Sequence, residues 1–233
     1  MDDLSYHYGV FMGDGFTENY KPGSSVVYIG LKVIDKDFVE HYQDVMERLT
    51  GQRYKMRFEK AKSPRHNPRF ACRVGNRILV EKTRGDTAMK SIIPASVMNG
   101  TAAMKKGFIQ GVMDSEAWIT CSLNPIGTSN IQLSVGVTDD WIKQLHQLFL
   151  EVGVTTTKIG TRKYAHDPKY LKPRKDFHSF SIHILEYVEA GLGFNIKRKQ
   201  DRLEYCSRIL RDFTREYPRY KEYFGEKIKS DVV

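Results

Sequence analysis

Two acidic residues, Asp14 and Glu116, stand at matching places in two stretches that repeat each other. The stretches are His7-Tyr8-Gly9-Val10-Phe11-Met12-Gly13-Asp14-Gly15 and Ile109-Gln110-Gly111-Val112-Met113-Asp114-Ser115-Glu116-Ala117. Read as helices, both put the acid at the C-terminal end, where the helix dipole is negative and a carboxylate is poorly placed. Two such carboxylates brought together also repel. A divalent cation held by their hard oxygens relieves both penalties, so the pair reads as candidate metal ligands.

The spacing around the acids predicts how they are positioned. Gly9 and Gly13 are four apart and share one helix face, as do Gly107, Gly111 and Ser115. Such stripes of small residues let two helix backbones approach closely, with Val10, Phe11, Val112 and Met113 filling the flanking core. After the first acid, strands are predicted over 16–21 and 25–33, separated by a turn at Pro22-Gly23. In the second, Val27, Ile29, Leu31 and Val33 alternate with Val26, Tyr28, Gly30 and Lys32. A helix starting at Asp35 or Asp37 carries Phe38, Tyr42, Val45, Met46 and Leu49 on one side and stops at Gly51. Tyr54, Met56 and Phe58 then alternate with Arg53, Lys55 and Arg57, and Phe70, Cys72 and Val74 with Arg69, Ala71 and Arg73. Helical text follows at 76–82, and Pro94 opens a helical linker into the second stretch.

The second half repeats this order. Ile119, Cys121 and Leu123 alternate with Thr120, Ser122 and Asn124; Ile131, Leu133, Val135 and Val137 alternate with Asn130, Gln132, Ser134 and Gly136. A helix is expected over 139–152, then a strand with Lys158 and Arg162 on one parity. Beyond a basic loop over 163–175, Phe180, Ile182 and Ile184 alternate with Ser179, Ser181 and His183. A charged helix is expected over 198–216. The predicted class is α+β: two pseudo-symmetric αββαββα repeats over 1–98 and 108–233 joined by a linker over 99–107, with antiparallel sheets and the motif helices packed where the repeats meet.

With 37 Lys and Arg against 28 Asp and Glu, the formal charge is +9, which favours a polyanionic partner. The three cysteines lack metal-ligand spacing and read as reduced thiols. There is no long apolar run, signal peptide or Arg-rich transit sequence, so the expectation is a cytoplasmic or organelle-matrix protein that is not secreted. No His/Cys metal pattern, phosphate-binding glycine loop or Ser/His/Asp arrangement is recognisable. The outward strand rows hold the residue types that reach phosphates and base edges, and two sheets presenting them would form a concave saddle along the major groove of double-stranded DNA. The DNA-binding candidates are Tyr28, Lys32, Arg53, Lys55, Arg57, Arg69 and Arg73 in the first half. In the second half they are Thr120, Ser122, Asn124, Asn130, Gln132, Ser134, Lys158, Arg162, Ser179, Ser181 and His183.

The paired stretches resemble the two motifs of monomeric LAGLIDADG homing endonucleases. The resemblance extends to Ile92-Ile93-Pro94 and to Gly193-Phe194-Asn195-Ile196-Lys197-Arg198-Lys199-Gln200. Met12 replaces the motif's usual first acid, and Glu116-Ala117 replace its final aspartate and glycine. The resemblance implies an intron-encoded, metal-dependent nuclease that hydrolyses phosphodiester bonds in a long, pseudo-asymmetric target, with staggered cuts across the minor groove and no obligate protein partner. Asp14 and Glu116 would hold Mg²⁺, with Mn²⁺ or Ca²⁺ able to replace it for binding. One lysine per half would neutralise phosphate charge: Lys197, and Lys90 with Lys82 and Arg84 as competitors. Asp35 and Asp139 would position water, or else cap helices, the cap being favoured for Asp139. An RNA maturase and a DNA-binding protein with a decayed site are the alternatives on the same scaffold.

Overall fold

The structure, a computed structural model, describes residues 2–19, 26–61, 63, 67–123, 129–163 and 175–216. These form two compact units, 2–115 with 194–197 and 116–193 with 198–216. The predicted turn at Pro22-Gly23, the candidate Asn124 and most of the basic loop over 163–175 lie outside the described residues.

The first unit runs α1 (Asp3–Met12), β1 (Gly15–Asn19), β2 (Val27–Val33), α2 (Lys36–Thr50), β3 (Met56–Glu59), β4 (Arg69–Val74), α3 (Arg77–Asp86) and a short α4 (Ala95–Met98). It also holds all but the last residue of α5 (Ala102–Glu116). Its antiparallel sheet has the order β1-β2-β4-β3. Local chemistry sets the helix ends: Asp2 accepts from the Ser5 N–H at 2.7 Å, Asn76 from Leu79 at 3.0 Å, and Gly51 ends α2 at φ 70°. One sheet face buries Ile29, Leu31, Cys72 and Val74 against Phe38, Tyr42, Val45 and Met46 of α2, with Tyr6, Val10 and Phe11 of α1 in the same core. Each such side chain contributes roughly 1.5–3 kcal/mol by leaving water.

The second unit contains β5 (Ala117–Leu123), β6 (Ser129–Val137), α6 (Ile142–Glu151), β7 (Gly160–Arg162), β8 (Phe177–Ile182), α7 (Ile184–Glu189) and α8 (Lys197–Glu216) from Arg198 on. Its antiparallel sheet has the corresponding order β5-β6-β8-β7. Phe149 of α6 packs edge-on to Phe180 of β8, ring centres 5.6 Å apart, and both are buried. Counted from α1 and from α5, the chain is αββαββα twice, as the alternation predicts.

Three local expectations differ. Phe58, expected inward, is 57 % exposed: β3 is a short edge strand, and the ring rests on Phe70 at 5.3 Å. Asp139 does not cap α6; Trp141 takes that position and the Asp139 carboxylate binds Lys175 at 2.7 Å. His183 is not a strand residue but the N-cap of α7, its Nδ1 accepting from the Glu186 N–H at 3.4 Å.

The buried face of α1 carries a polar network with a pH consequence. Thr83 Oγ1 donates to the Leu79 carbonyl at 2.7 Å, so its oxygen must accept from His7 Nε2 at 2.9 Å. His7 Nδ1 is then the acceptor for the Tyr42 hydroxyl at 3.1 Å. Burial holds the fully enclosed imidazole neutral, its pKa pushed down to about 3. The unfolded chain binds this proton below about pH 6.5 and the folded chain does not, so stability is complete above that pH and falls as acid is added. Between pH 6.5 and 5, urea midpoints should report a loss on the order of 2 kcal/mol from His7, with the half-buried His41 adding in the same direction. His7→Gln should flatten that part of the curve.

Candidate active site and nucleic-acid interface

The two motif helices meet through glycine. A Cβ on Gly9 of α1 would lie 2.2 Å from the Phe108 carbonyl oxygen, and one on Gly111 of α5 would lie 2.2 Å from that of Tyr6. Only hydrogen fits at either place, so the backbones are in direct contact. This crossing fixes the end of α1, where Met12 is the last helical residue, Gly13 the cap, and Asp14 an exposed residue entering β1. Glu116 is half-buried, the last residue of α5, and opens the second unit directly before β5.

Lys90 converges on the same turn. Its Nζ donates to the Gly13 carbonyl at 2.7 Å and the Gly15 carbonyl at 2.6 Å, the two that flank Asp14, and lies 5.4 Å from the Phe11 ring centre. The backbone that delivers it is strained: Ala88, Met89 and Lys90 have φ of 41°, 54° and 75°, three consecutive non-glycine residues in the left-handed region. Such a conformation costs about 1–2 kcal/mol per residue, and its usual setting is a functional site. The competing cations are engaged elsewhere, Lys82 with Asp86 at 2.9 Å and Arg84 against the Met89 sulfur at 3.3 Å.

Lys197 is exposed and begins α8 within the first unit. The residues before it are tightly held. Asp114, 1 % exposed, accepts from the Asn195 N–H at 2.9 Å, the Asn195 side-chain amide at 2.8 Å and the Tyr6 hydroxyl at 2.8 Å. Burial, and then the Asp114 charge, push the Tyr6 pKa well above the usual phenol range, so it stays a donor. Asp37 accepts from the Lys197 N–H at 2.6 Å. Asp35 is the N-cap residue of α2 but makes no side-chain capping bond.

The sheet register sorts the proposed DNA-contacting residues. In the first unit Tyr28, Lys32, Arg57, Arg69 and Arg73 share the face opposite α2. That face is not purely cationic: Lys32 pairs with Glu59 at 2.8 Å, and Arg73 with Glu18 at 3.0 Å and Glu59 at 3.7 Å. Arg53 and Lys55 precede β3, and the Arg53 guanidinium bridges Asp44 and Glu47 of α2 at 2.9 and 2.6 Å. In the second unit Thr120, Ser122, Asn130, Gln132, Ser134, Ser179, Ser181 and Arg162 share one face with Trp118 and Phe177. Gln132 donates to Ser181, whose hydroxyl lies 3.3 Å from that of Ser134. Lys158 lies before β7, outside that row.

Sequence reasoning passed over Asp37, Asp114, Asn195, Glu18 and Glu59. Asp114 and Asn195 stand inside the repeat and tail stretches, so position marked them; their pairing across 81 residues did not show. Among the described residues no three His, Cys, Asp or Glu side chains cluster to hold a metal ion, and no helix is long and apolar enough to cross a membrane.

No protein-family model matches the sequence. The uncharacterized protein MJ0398 of Methanocaldococcus jannaschii is 26% identical over 221 residues, 87% of this chain and 70% of that protein. Among solved structures, mesophilic variants of the homing endonuclease I-DmoI match with a TM-score of 0.53 at 14% identity, over 82% of this chain and 95% of theirs. A double mutant of I-SmaMI matches with a TM-score of 0.54 at 10% identity, over 99% and 98%. I-SmaMI bound to an uncleaved DNA target with calcium ions gives 0.51 at 11%, over 92% and 93%. The chain shares the fold of these proteins, with one four-stranded antiparallel sheet in each of its two units.

Proposed function

We propose that the chain is a site-specific double-strand DNA endonuclease of the LAGLIDADG homing type, acting as a monomer with Mg²⁺. The observation that carries this reading is the glycine-to-glycine crossing of α1 and α5, with Asp14 two residues beyond the end of the first and Glu116 the last residue of the second, each helix leading into a four-stranded sheet. The fold match supports it, since I-DmoI was solved with DNA and Mn and I-SmaMI with DNA and Ca²⁺.

The turn at Asp14 fits a hard cation. Its donors are oxygens, and a positive group, the Lys90 ammonium, is already drawn to the carbonyls on either side. With one carboxylate per half, phosphate and water oxygens would complete the shell. A bound Mg²⁺ supplies polarisation of the scissile phosphate and an attacking water of lowered pKa. Asp14 and Glu116 would each hold one side of the reacting centre, with Lys197 and Lys90 offsetting charge that develops on phosphate. The ionic sheet face of the first unit would grip phosphates and guanine edges; the Ser, Thr, Asn and Gln face of the second would read bases through neutral hydrogen bonds.

Glu59 gives a test of the ionic face. It engages Lys32 at 2.8 Å and Arg73 at 3.7 Å, so Glu59→Gln should release Lys32, leave Arg73 with Glu18 alone, and tighten duplex binding about 3-fold at low salt, an effect that shrinks as salt rises. The overall reading is tested by repeated selection from a randomised duplex pool in Ca²⁺. A single long, asymmetric sequence should emerge; a pool that stays random, or preferential capture of structured RNA, would contradict it.

A further inference from the structure

Three successive residues leading into α8 are each secured by a different partner in the first unit. The Asn195 backbone and side chain are held by Asp114 at 2.9 and 2.8 Å. Ile196 is 1 % exposed and packs in the core with Tyr6, Val10 and Phe11. The Lys197 N–H is held by Asp37 Oδ2 at 2.6 Å. Phe194–Lys197 therefore belongs to the first unit, while the residues before and after it belong to the second.

Both carboxylates are suited to this task. Asp114 is buried, and a buried carboxylate is tolerable only when its lone pairs are filled; here three donors fill them. Asp37, in the first turn of α2, takes a backbone N–H at the start of α8, the end where the dipole favours negative charge. A capping acid normally comes from the residue just before its helix; this one lies 160 residues away in sequence. The contact gives the first N–H of α8 an acceptor from a different helix.

We propose that Asp37 and Asp114 are positioning residues: they form a two-point clamp that sets the Lys197 backbone so that its ammonium faces the scissile phosphate. The two halves then anchor their lysines in opposite ways. In the first, the Lys90 ammonium itself grips the carbonyls of the motif turn. In the second, a motif acid grips the segment that carries the lysine, and Asp37 takes the Lys197 N–H. This also accounts for Asp114 standing where the first repeat has Met12. Met12 is buried and has no oxygen that could take such a bond, whereas Asp114 takes three.

The proposal rests on the nuclease reading, and the test separates the two. Hydrogen exchange across 193–199 and single-turnover cleavage of the selected duplex are measured for the wild type, Asp37→Ala and Asp37→Asn. Asparagine keeps an oxygen that accepts from the Lys197 N–H; alanine does not. The alanine variant should exchange the Lys197 amide at least about 10-fold faster, with the sheet amides unchanged. It should also cleave at least about 10-fold more slowly with duplex affinity within about twofold, and asparagine should restore most of both. Unchanged exchange would overturn the clamp. Faster exchange with undiminished cleavage would overturn its role in positioning Lys197. A wild type that shows the expected exchange yet binds duplex without cutting it would overturn the nuclease reading, and the positioning role with it.

Discussion

Asp14→Asn and Glu116→Gln should each bind the selected duplex as well as the wild type or slightly better, and cleave it at least about 1,000-fold more slowly in Mg²⁺. Both changes keep side-chain volume and remove one negative charge. Phosphate is then repelled less, which is why affinity should not fall. Asp14 is exposed and outside the helix hydrogen-bond ladder, so its replacement should leave thermal stability nearly unchanged. The readout is a strand-resolved single-turnover assay beside a binding curve in Ca²⁺. Undiminished cleavage by both variants would remove the acids from the site. A matched loss of binding and cleavage would make them structural.

The second large effect is on stability. Gly9→Ala or Gly111→Ala puts a carbon 2.2 Å from a carbonyl oxygen of the facing helix, where about 3.3 Å is the nearest comfortable approach. The atoms met are backbone, so the helices themselves must part by about 1 Å. Overpacking of this kind should cost about 3 kcal/mol or more, a fall of roughly 10 °C in Tm for a chain of this length. Gly85 is the control: it lies in α3 with nothing within 4 Å of the place a methyl group would take, so Gly85→Ala should be neutral or gain up to about 1 kcal/mol. Equal effects at Gly9 and Gly85 would contradict the close crossing.

The glycine spacing, the alternation and the helix stop at Gly51 were legible because each depends on residues within a turn or two of one another. Cationic strand rows were legible as composition but not as charge, because Glu18 of β1 and Glu59 of β3 reach Arg73 of β4 only once the sheet β1-β2-β4-β3 is assembled. Asp139 looked like a cap from its position before an apolar run; its partner Lys175 is 36 residues away, and nothing in the local pattern points there. Phe58 obeyed the alternation and is exposed all the same, since a two-residue period says which face a side chain takes and not whether anything covers it. At the site, the acids and Lys90 stood out by type and place. Asp37 and Asn195 acquire meaning only through partners 160 and 81 residues distant.

Incubating the selected duplex with the protein in Mg²⁺ and sequencing every new end tests the central claim most directly. One end should appear on each strand, at a fixed stagger within the selected sequence, in Mg²⁺ and not in EDTA. Duplex that stays intact in Mg²⁺ while fully bound, or ends scattered without a common position, would contradict it.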